Sequence, residues 1–333
     1  MKYDKSHADR LKEITDNIES GIKDLFQSER YAEYLRAMSR FHRYSLNNTI
    51  LIVLQRPDAS LVAGFNKWRD EFKRNVKKGE KGIKILAPAP FKKTVNMQRI
   101  DPITNRAMVN DSGQPITEDV EITIPRFKVV TVFDVSQTEG KELPSIGVNT
   151  LMGDVKNHEA FMAALVKASP FPLVYEDIQS SAKGYCHFAE RRIAINTGMS
   201  DLQTIKTAIH EIAHAKLHNV DLNNKDEMAA RADKFTREVQ AESVAYTVCQ
   251  YYGLDTSDYS FAYIAGWSSE KEMPELRASL DVIREAAHDL IESIDNCLSE
   301  NEKGKDRPRA EETKIKSFMQ KTRAPKQSAE MER

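Results

Sequence analysis

Thr207-Ala208-Ile209-His210-Glu211-Ile212-Ala213-His214-Ala215-Lys216-Leu217-His218 is the stretch on which the reading of this chain turns. Ala, Ile and Leu dominate it and neither Gly nor Pro interrupts it. Ser200-Asp201 upstream offers a capping start, so the segment reads as a helix. On a helix, His210 and His214 sit one turn apart on one face, where both imidazoles reach a single metal ion. Glu211 is offset by one position, so its carboxylate addresses a water beside that ion without becoming a ligand. This is the H-E-x-x-H pattern of zinc metallopeptidases, with two histidine ligands and a glutamate general base.

The flanks extend the pattern. Gly184–Phe188 and Arg192–Asn196 read as a hairpin that precedes the helix. Ala229–Tyr252 reads as a second long helix and carries Glu238 and Glu242, again one turn apart. A third ligand from this helix closes the site at three protein groups and leaves a position for water. Glu242 is the expected ligand, because Ala241 and Ser243 beside it permit close approach of the two helices. Glu238, near Lys234 and Arg237, is the alternative, either as ligand or as a partner that orients a histidine. His218 lies one turn beyond His214 and is expected to face the helix dipole rather than the metal.

The rest of the chain sets the context. Its 333 residues suffice for two cores, and a formal net charge of −1 gives no global bias toward nucleic acid, so any such affinity must be local. Cys186, Cys249 and Cys297 are too few and too scattered for a disulfide framework or a metal knuckle, which suits a reducing compartment. No apolar run approaches a membrane span and the first residues lack a signal-peptide core, so a cytoplasmic location with no membrane partner is expected.

In chain order, helical spacing covers about 9–26 and 28–40, followed by the apolar run Ile50–Leu54 and a further helical piece opening at Val62. Strands are expected at Ile83–Pro88 and Phe127–Val135, paired antiparallel. The polar stretch 94–121 reads as a long loop or hairpin excursion, and 137–149 as a linker. Beyond it come a helix at His158–Ala168, a strand at Leu173–Tyr175 and, after the metal segment, a last helix at Pro274–Leu298. From Ser299 the chain loses its large apolar residues, and a disordered tail is expected at 299–333. The resulting class is α+β, with a helical N-terminal domain bearing a small antiparallel sheet (1–136) and a metal-binding domain (150–298).

The N-terminal part mixes cations, amides and flat side chains: Arg40, Arg43, Tyr44, Asn47 and Asn48, then Lys67 and Trp68, then Lys73, Arg74, Lys77, Lys78, Lys81 and Lys84. Single-stranded DNA asks for this mixture, since cations track phosphates and aromatic faces stack on unpaired bases. The competing reading is a solvated basic turn, with Trp68 and Phe65 in the core.

Asn47-Asn48-Thr49, Gln55-Arg56-Pro57-Asp58-Ala59, Val62–Trp68 and Val76–Pro88 resemble the N-terminal domain of ArdC-type antirestriction proteins. His210–His214, Ala241-Glu242 and Tyr263-Ile264-Ala265-Gly266-Trp267 are similar to the zincin-like, ImmA/IrrE-related metallopeptidase domain joined to it in that family. The resemblance implies a protein of conjugative elements that binds single-stranded DNA and carries a Zn2+-dependent peptidase domain. Its hairpin would supply the substrate-binding edge strand, and Tyr263 or Tyr259 would donate to the oxyanion. A protein substrate such as a restriction-enzyme subunit or a repressor is implied. Two alternatives stand beside this expectation: a DNA-protecting binding protein with a purely structural metal, and a regulatory protease that cleaves a repressor.

Overall fold

The computed structural model describes residues 7–102, 106–110, 112–143, 155–220, 224, 226–227 and 231–303. Contacts divide the chain into two units, and the division does not follow chain order. One gathers the residues up to Asn17 with Val62–Glu139; the other gathers Ile18–Leu61 with the residues from Gly140 onward.

The first unit is built on a three-stranded antiparallel sheet of order β1-β6-β3, from Val62–Gly64 (β1), Ile83–Pro88 (β3) and Phe127–Asp134 (β6). Ile83 pairs with Val132 and Lys84 with Thr131, so Ile83, Ile85 and Val132 share the buried face and Lys84 the other. The expected pairing of these strands is therefore present. Val62–Gly64, expected to open a helix, is instead a strand against β6, and the helix α4 (Phe65–Asp70) begins one residue later. The polar excursion is a two-stranded ribbon, β4 (Phe91–Gln98) against β5 (Thr117–Ile124). Gln137–Gly140, expected to begin a linker, instead closes a short 3-10 turn and forms β7 (Thr138–Gly140) against β2 (Arg74–Val76). The rest of that linker from 144 onward, like the tail from 304, lies outside the described residues.

The helix expected at about 9–26 is present as α1 (His7–Leu25), and from Ile18 it belongs to the second unit, which also holds α2 (Ser28–Arg40) and α3 (Leu46–Gln55) together with the C-terminal elements. These are α5 (Val155–Ala168), β8 (Leu173–Glu176), β9 (Gly184–His187), β10 (Arg192–Asn196), α6 (Asp201–Leu217), α7 (Lys234–Tyr251), α8 (Ile264–Ser269) and α9 (Met273–Lys303). β10 is central, parallel to β8 and antiparallel to the edge strand β9. α7 packs on α6, α9 and α2. It is buried nearly all round, as its run of Val, Ala, Ser and Thr predicts. The α2 contact is aromatic and specific: Tyr31 and Tyr34 are fully buried, the Tyr31 hydroxyl lies 2.9 Å from Ser243 Oγ, and its ring meets Phe261 edge-on.

Candidate metal centre

Ser200 caps α6 by accepting the Gln203 N–H. Further along the helix, His210 and His214 bring their Nε2 atoms within 3.1 Å of each other. α7 supplies the carboxylate: Glu238 Oε2 lies 3.6 Å from His210 Nε2 and 3.4 Å from His214 Nε2. These three side chains place one donor atom each within 4.8 Å of the others. In place of the expected Glu242, the structure thus gathers Glu238. Glu242 lies one turn further along the same face, and its carboxylate accepts the hydroxyl of Tyr263. It still acts on His210: burial pushes that imidazole down, but Glu238, Glu211 and Glu242 together raise its pKa.

Glu211 is only 7% exposed. Burial raises its pKa, offset in part by His210 and His214, and its carboxylate accepts the backbone N–H of Cys186. The general-base candidate is thereby tied to the edge strand β9. Close approach of that strand depends on Gly184, where a Cβ would sit 2.7 Å from Thr207 Cγ2 and 2.8 Å from the Ala194 carbonyl oxygen. A larger residue would push β9 off α6.

His218 does more than face the helix dipole. It is buried, its Nδ1 is 3.0 Å from His214 Nδ1, and its Nε2 is 3.0 Å from Gln240 Oε1. Gln240 Nε2 in turn donates to Ser279 Oγ at 3.2 Å. The orientation of the amide, with Oε1 toward His218, implies one proton order for the chain. Gln240 Oε1 can only accept, so His218 carries its proton on Nε2 and accepts on Nδ1. His214 then donates from Nδ1 and presents a bare lone pair at Nε2, beside His210 and Glu238. Burial holds His218 down at about 4, so it stays neutral in this role. Gln240 and Ser279 carry no signal in the sequence, although the spacing of His214 and His218 points along this line.

Of the two candidate tyrosines, Tyr263 belongs to the site through Glu242. Burial, then that carboxylate, keeps its hydroxyl protonated. Tyr259 packs elsewhere, with its hydroxyl 3.9 Å from Cys249 Sγ and its ring against Tyr246. Lys206, one turn before His210, is buried and paired with Asp258.

The basic residues expected to meet DNA fall into two sets. Arg40, Arg43, Tyr44, Asn47 and Asn48 lie in the second unit, where all five make structural contacts. Arg43 pairs with Glu292 at 2.8 Å, Asn47 Oδ1 accepts Arg277 at 2.9 Å, and the Asn48 N–H meets the cap Ser45. Arg40 donates to the Ala59 carbonyl at 2.7 Å, and Tyr44 is half-buried against Phe41.

In the first unit, Trp68 is 0% exposed and donates from Nε1 to the Phe133 carbonyl at 2.8 Å, so it is core and not a stacking surface. Arg74 is likewise engaged, with Thr138. Lys67 pairs with Glu71, and Lys73 donates to the Asp70 carbonyl. Lys77, Lys78, Lys81 and Lys84 lie on or beside the turn before β3, and all four are exposed. That turn is rigidly built. Gln137 donates to Glu80 and to the Lys81 carbonyl, its own carbonyl accepts the Lys77 N–H, and Gly79 takes the positive φ of 91° that the turn requires. Phe65, a core candidate by sequence, is instead 51% exposed and lies edge-on to Phe133.

Comparison with known proteins finds two domains in chain order. Residues 5–133 match the N-terminal domain of anti-restriction factor ArdC, and residues 167–289 match the IrrE N-terminal-like domain. An uncharacterized protein of Bacillus anthracis is 28% identical over 92% of this chain, which spans only 55% of that relative's length. The antirestriction ArdC protein from plasmid R388 is similar in its metal-free crystal structure (22% identity, 78% of this chain, 85% of that one, TM-score 0.42). Its Mn(II)-bound structure gives 18% identity, 78%, 84% and a TM-score of 0.40. Among the described residues no helix is long and apolar enough to cross a membrane. The chain thus joins an N-terminal domain of the anti-restriction factor ArdC type to an IrrE N-terminal-like domain.

Proposed function

We propose that His210, His214 and a carboxylate of α7 hold a divalent transition metal, and that this centre hydrolyses peptide bonds with Glu211 as general base. The observation that carries the reading is the gathering of His210, His214 and Glu238, with His214 held from behind by the hydrogen-bonded chain Ser279–Gln240–His218. Glu238 is the carboxylate gathered there, and Glu242 is the next along the face. Two imidazoles and a carboxylate suit Zn2+ and its first-row neighbours. Such an ion, when bound, supplies Lewis acidity and makes water a nucleophile near neutral pH.

The chain's own groups do the rest. Glu211 takes the proton of the attacking water and returns it to the leaving amine. Its bond to the Cys186 N–H holds it beside β9, the edge along which an extended peptide pairs as an added strand. Tyr263 donates its one O–H to Glu242, and on turning from that carboxylate it would offer the proton to a developing oxyanion. Replacing Gln240 with Leu keeps its volume but removes the acceptor that sets the tautomer of His218. Metal affinity should then fall by roughly 10–100-fold. An isothermal titration with Zn2+ that gives the wild-type affinity would show that the chain does not orient His214.

For the first unit, the reading is single-stranded-DNA binding, supported by exposed Phe65 beside the sheet face that carries Lys84, and by the braced turn with Lys78 and Lys81. Phe65→Ala should lose about 1–3 kcal/mol of binding with only a small loss of stability, because a stacking face and one edge contact with Phe133 are removed and no buried core is opened. Lys78→Glu with Lys81→Glu should weaken binding to every sequence and flatten its salt dependence. Fluorescence anisotropy with single-stranded and duplex oligonucleotides at several salt concentrations checks both. Equal affinity for the two forms, untouched by the charge reversal, would leave this unit without the proposed role. Coating of entering single strands by this unit and cleavage of a restriction or repressor protein by the other would then act together in antirestriction.

A further inference from the structure

We propose that His42, His288 and Glu292 form a second site for a divalent first-row transition metal, built from residues outside the H-E-x-x-H centre. His42 lies in the turn between α2 and α3 and is buried. His288 and Glu292 are one turn apart on α9 and so share a face. His42 Nδ1 and His288 Nδ1 meet at 2.9 Å, and one donor atom from each of the three residues lies within 4.8 Å of the others. The arrangement repeats that of His210, His214 and Glu238, where the imidazole nitrogens stand 3.1 Å apart beside a carboxylate.

Two imidazole nitrogens this close share either one proton or one cation. Metal–nitrogen bonds of about 2.0–2.1 Å span the gap with an opening of only a few tenths of an ångström. Imidazole with carboxylate selects Zn2+, Co2+ and Ni2+ over Mg2+ or Ca2+.

The surroundings set the strength of the site. Arg43 holds Glu292 through Oε1 alone, from Nε at 2.9 Å and Nη2 at 2.8 Å. Its positive charge opposes a cation. Asp295, held by the hydroxyls of Tyr251 and Tyr252 at 2.8 Å each, acts on His42 with the opposite sign. Arg43 sits on the ligand carboxylate itself, whereas three carboxylates surround His210 at the first centre, so this site should bind more weakly, and removing Arg43 should strengthen it. An ion here would tie the turn after α2 to α9, a closure across 246 residues.

The test uses the full-length chain, titrated with Co2+ followed by its visible absorption and with Zn2+ by calorimetry. Wild type should take up two equivalents, His210→Ala/His214→Ala one, and His288→Gln one. Combining the three substitutions should leave none. Glu292→Gln, which keeps the side-chain shape, should weaken the second equivalent at least tenfold, and Arg43→Gln should tighten it severalfold. Far-UV circular dichroism verifies that each variant is folded. A His210→Ala/His214→Ala variant that binds no ion, or one whose remaining ion is indifferent to both His288→Gln and Glu292→Gln, would overturn the proposal. Neither result touches the reading of the first centre, which is scored by the other equivalent.

Discussion

Glu211→Gln is expected to lower peptide hydrolysis by about 10²–10⁴-fold while leaving metal content and melting temperature at their wild-type values. Gln keeps the size of the side chain, and its carbonyl oxygen can still accept the Cys186 N–H that Glu211 accepts now. It loses only the ability to take a proton from water and hand it to the leaving amine. Neither imidazole ligand is altered. Digestion of a random-peptide mixture, with products identified by mass spectrometry, measures the effect whatever the natural substrate. Undiminished cleavage by the variant would remove Glu211 from the mechanism. Absence of cleavage by wild type as well would favour the DNA-protecting reading, in which the metal serves the fold.

The second large effect is on stability. Trp68→Ala should destabilise the first unit by about 3–5 kcal/mol, since it empties the largest fully buried side chain from the core beneath β6. It also strands the Phe133 carbonyl that the indole N–H now satisfies at 2.8 Å. Trp68→Phe separates these contributions, because it refills most of the space and forfeits only the hydrogen bond. Urea unfolding followed by circular dichroism gives both values. A Trp68→Ala variant that melts like wild type and yet binds single-stranded DNA more weakly would mean that the indole stacks on bases after all.

The two predictions differ in how readily the sequence announces them. His210, Glu211 and His214 are legible because helical spacing is a local property, and the run Thr207–Leu217 can hardly be anything but a helix. The antiparallel pairing of Ile83–Pro88 with Phe127–Asp134 is legible for a similar reason, since both segments carry the alternation of a half-buried strand. The choice between Glu238 and Glu242 is not. The two are one turn apart on one face, so spacing treats them alike. What distinguishes them is the rotation of α7 against α6 and a hydroxyl at Tyr263, 21 residues further along the chain.

The basic stretch around Arg40–Asn48 misleads for a related reason. Arg, His and Asn beside aromatics describe a nucleic-acid surface and a polar interface equally well. Only the fold reveals that Arg43 and Asn47 answer Glu292 and Arg277, each of them far away in the chain. Trp68 and Phe65 part ways because α4 is short. In six residues no periodicity decides which aromatic turns inward, and the Phe133 carbonyl does.

At the centre of all this stands the holding of a divalent metal by His210 and His214. Its most direct measurement is the metal content, by plasma mass spectrometry, of full-length wild type and of His210→Ala/His214→Ala, each equilibrated with Zn2+ and freed of excess ion. The variant should hold one equivalent per chain less than wild type. Equal metal content in the two proteins would contradict that assignment.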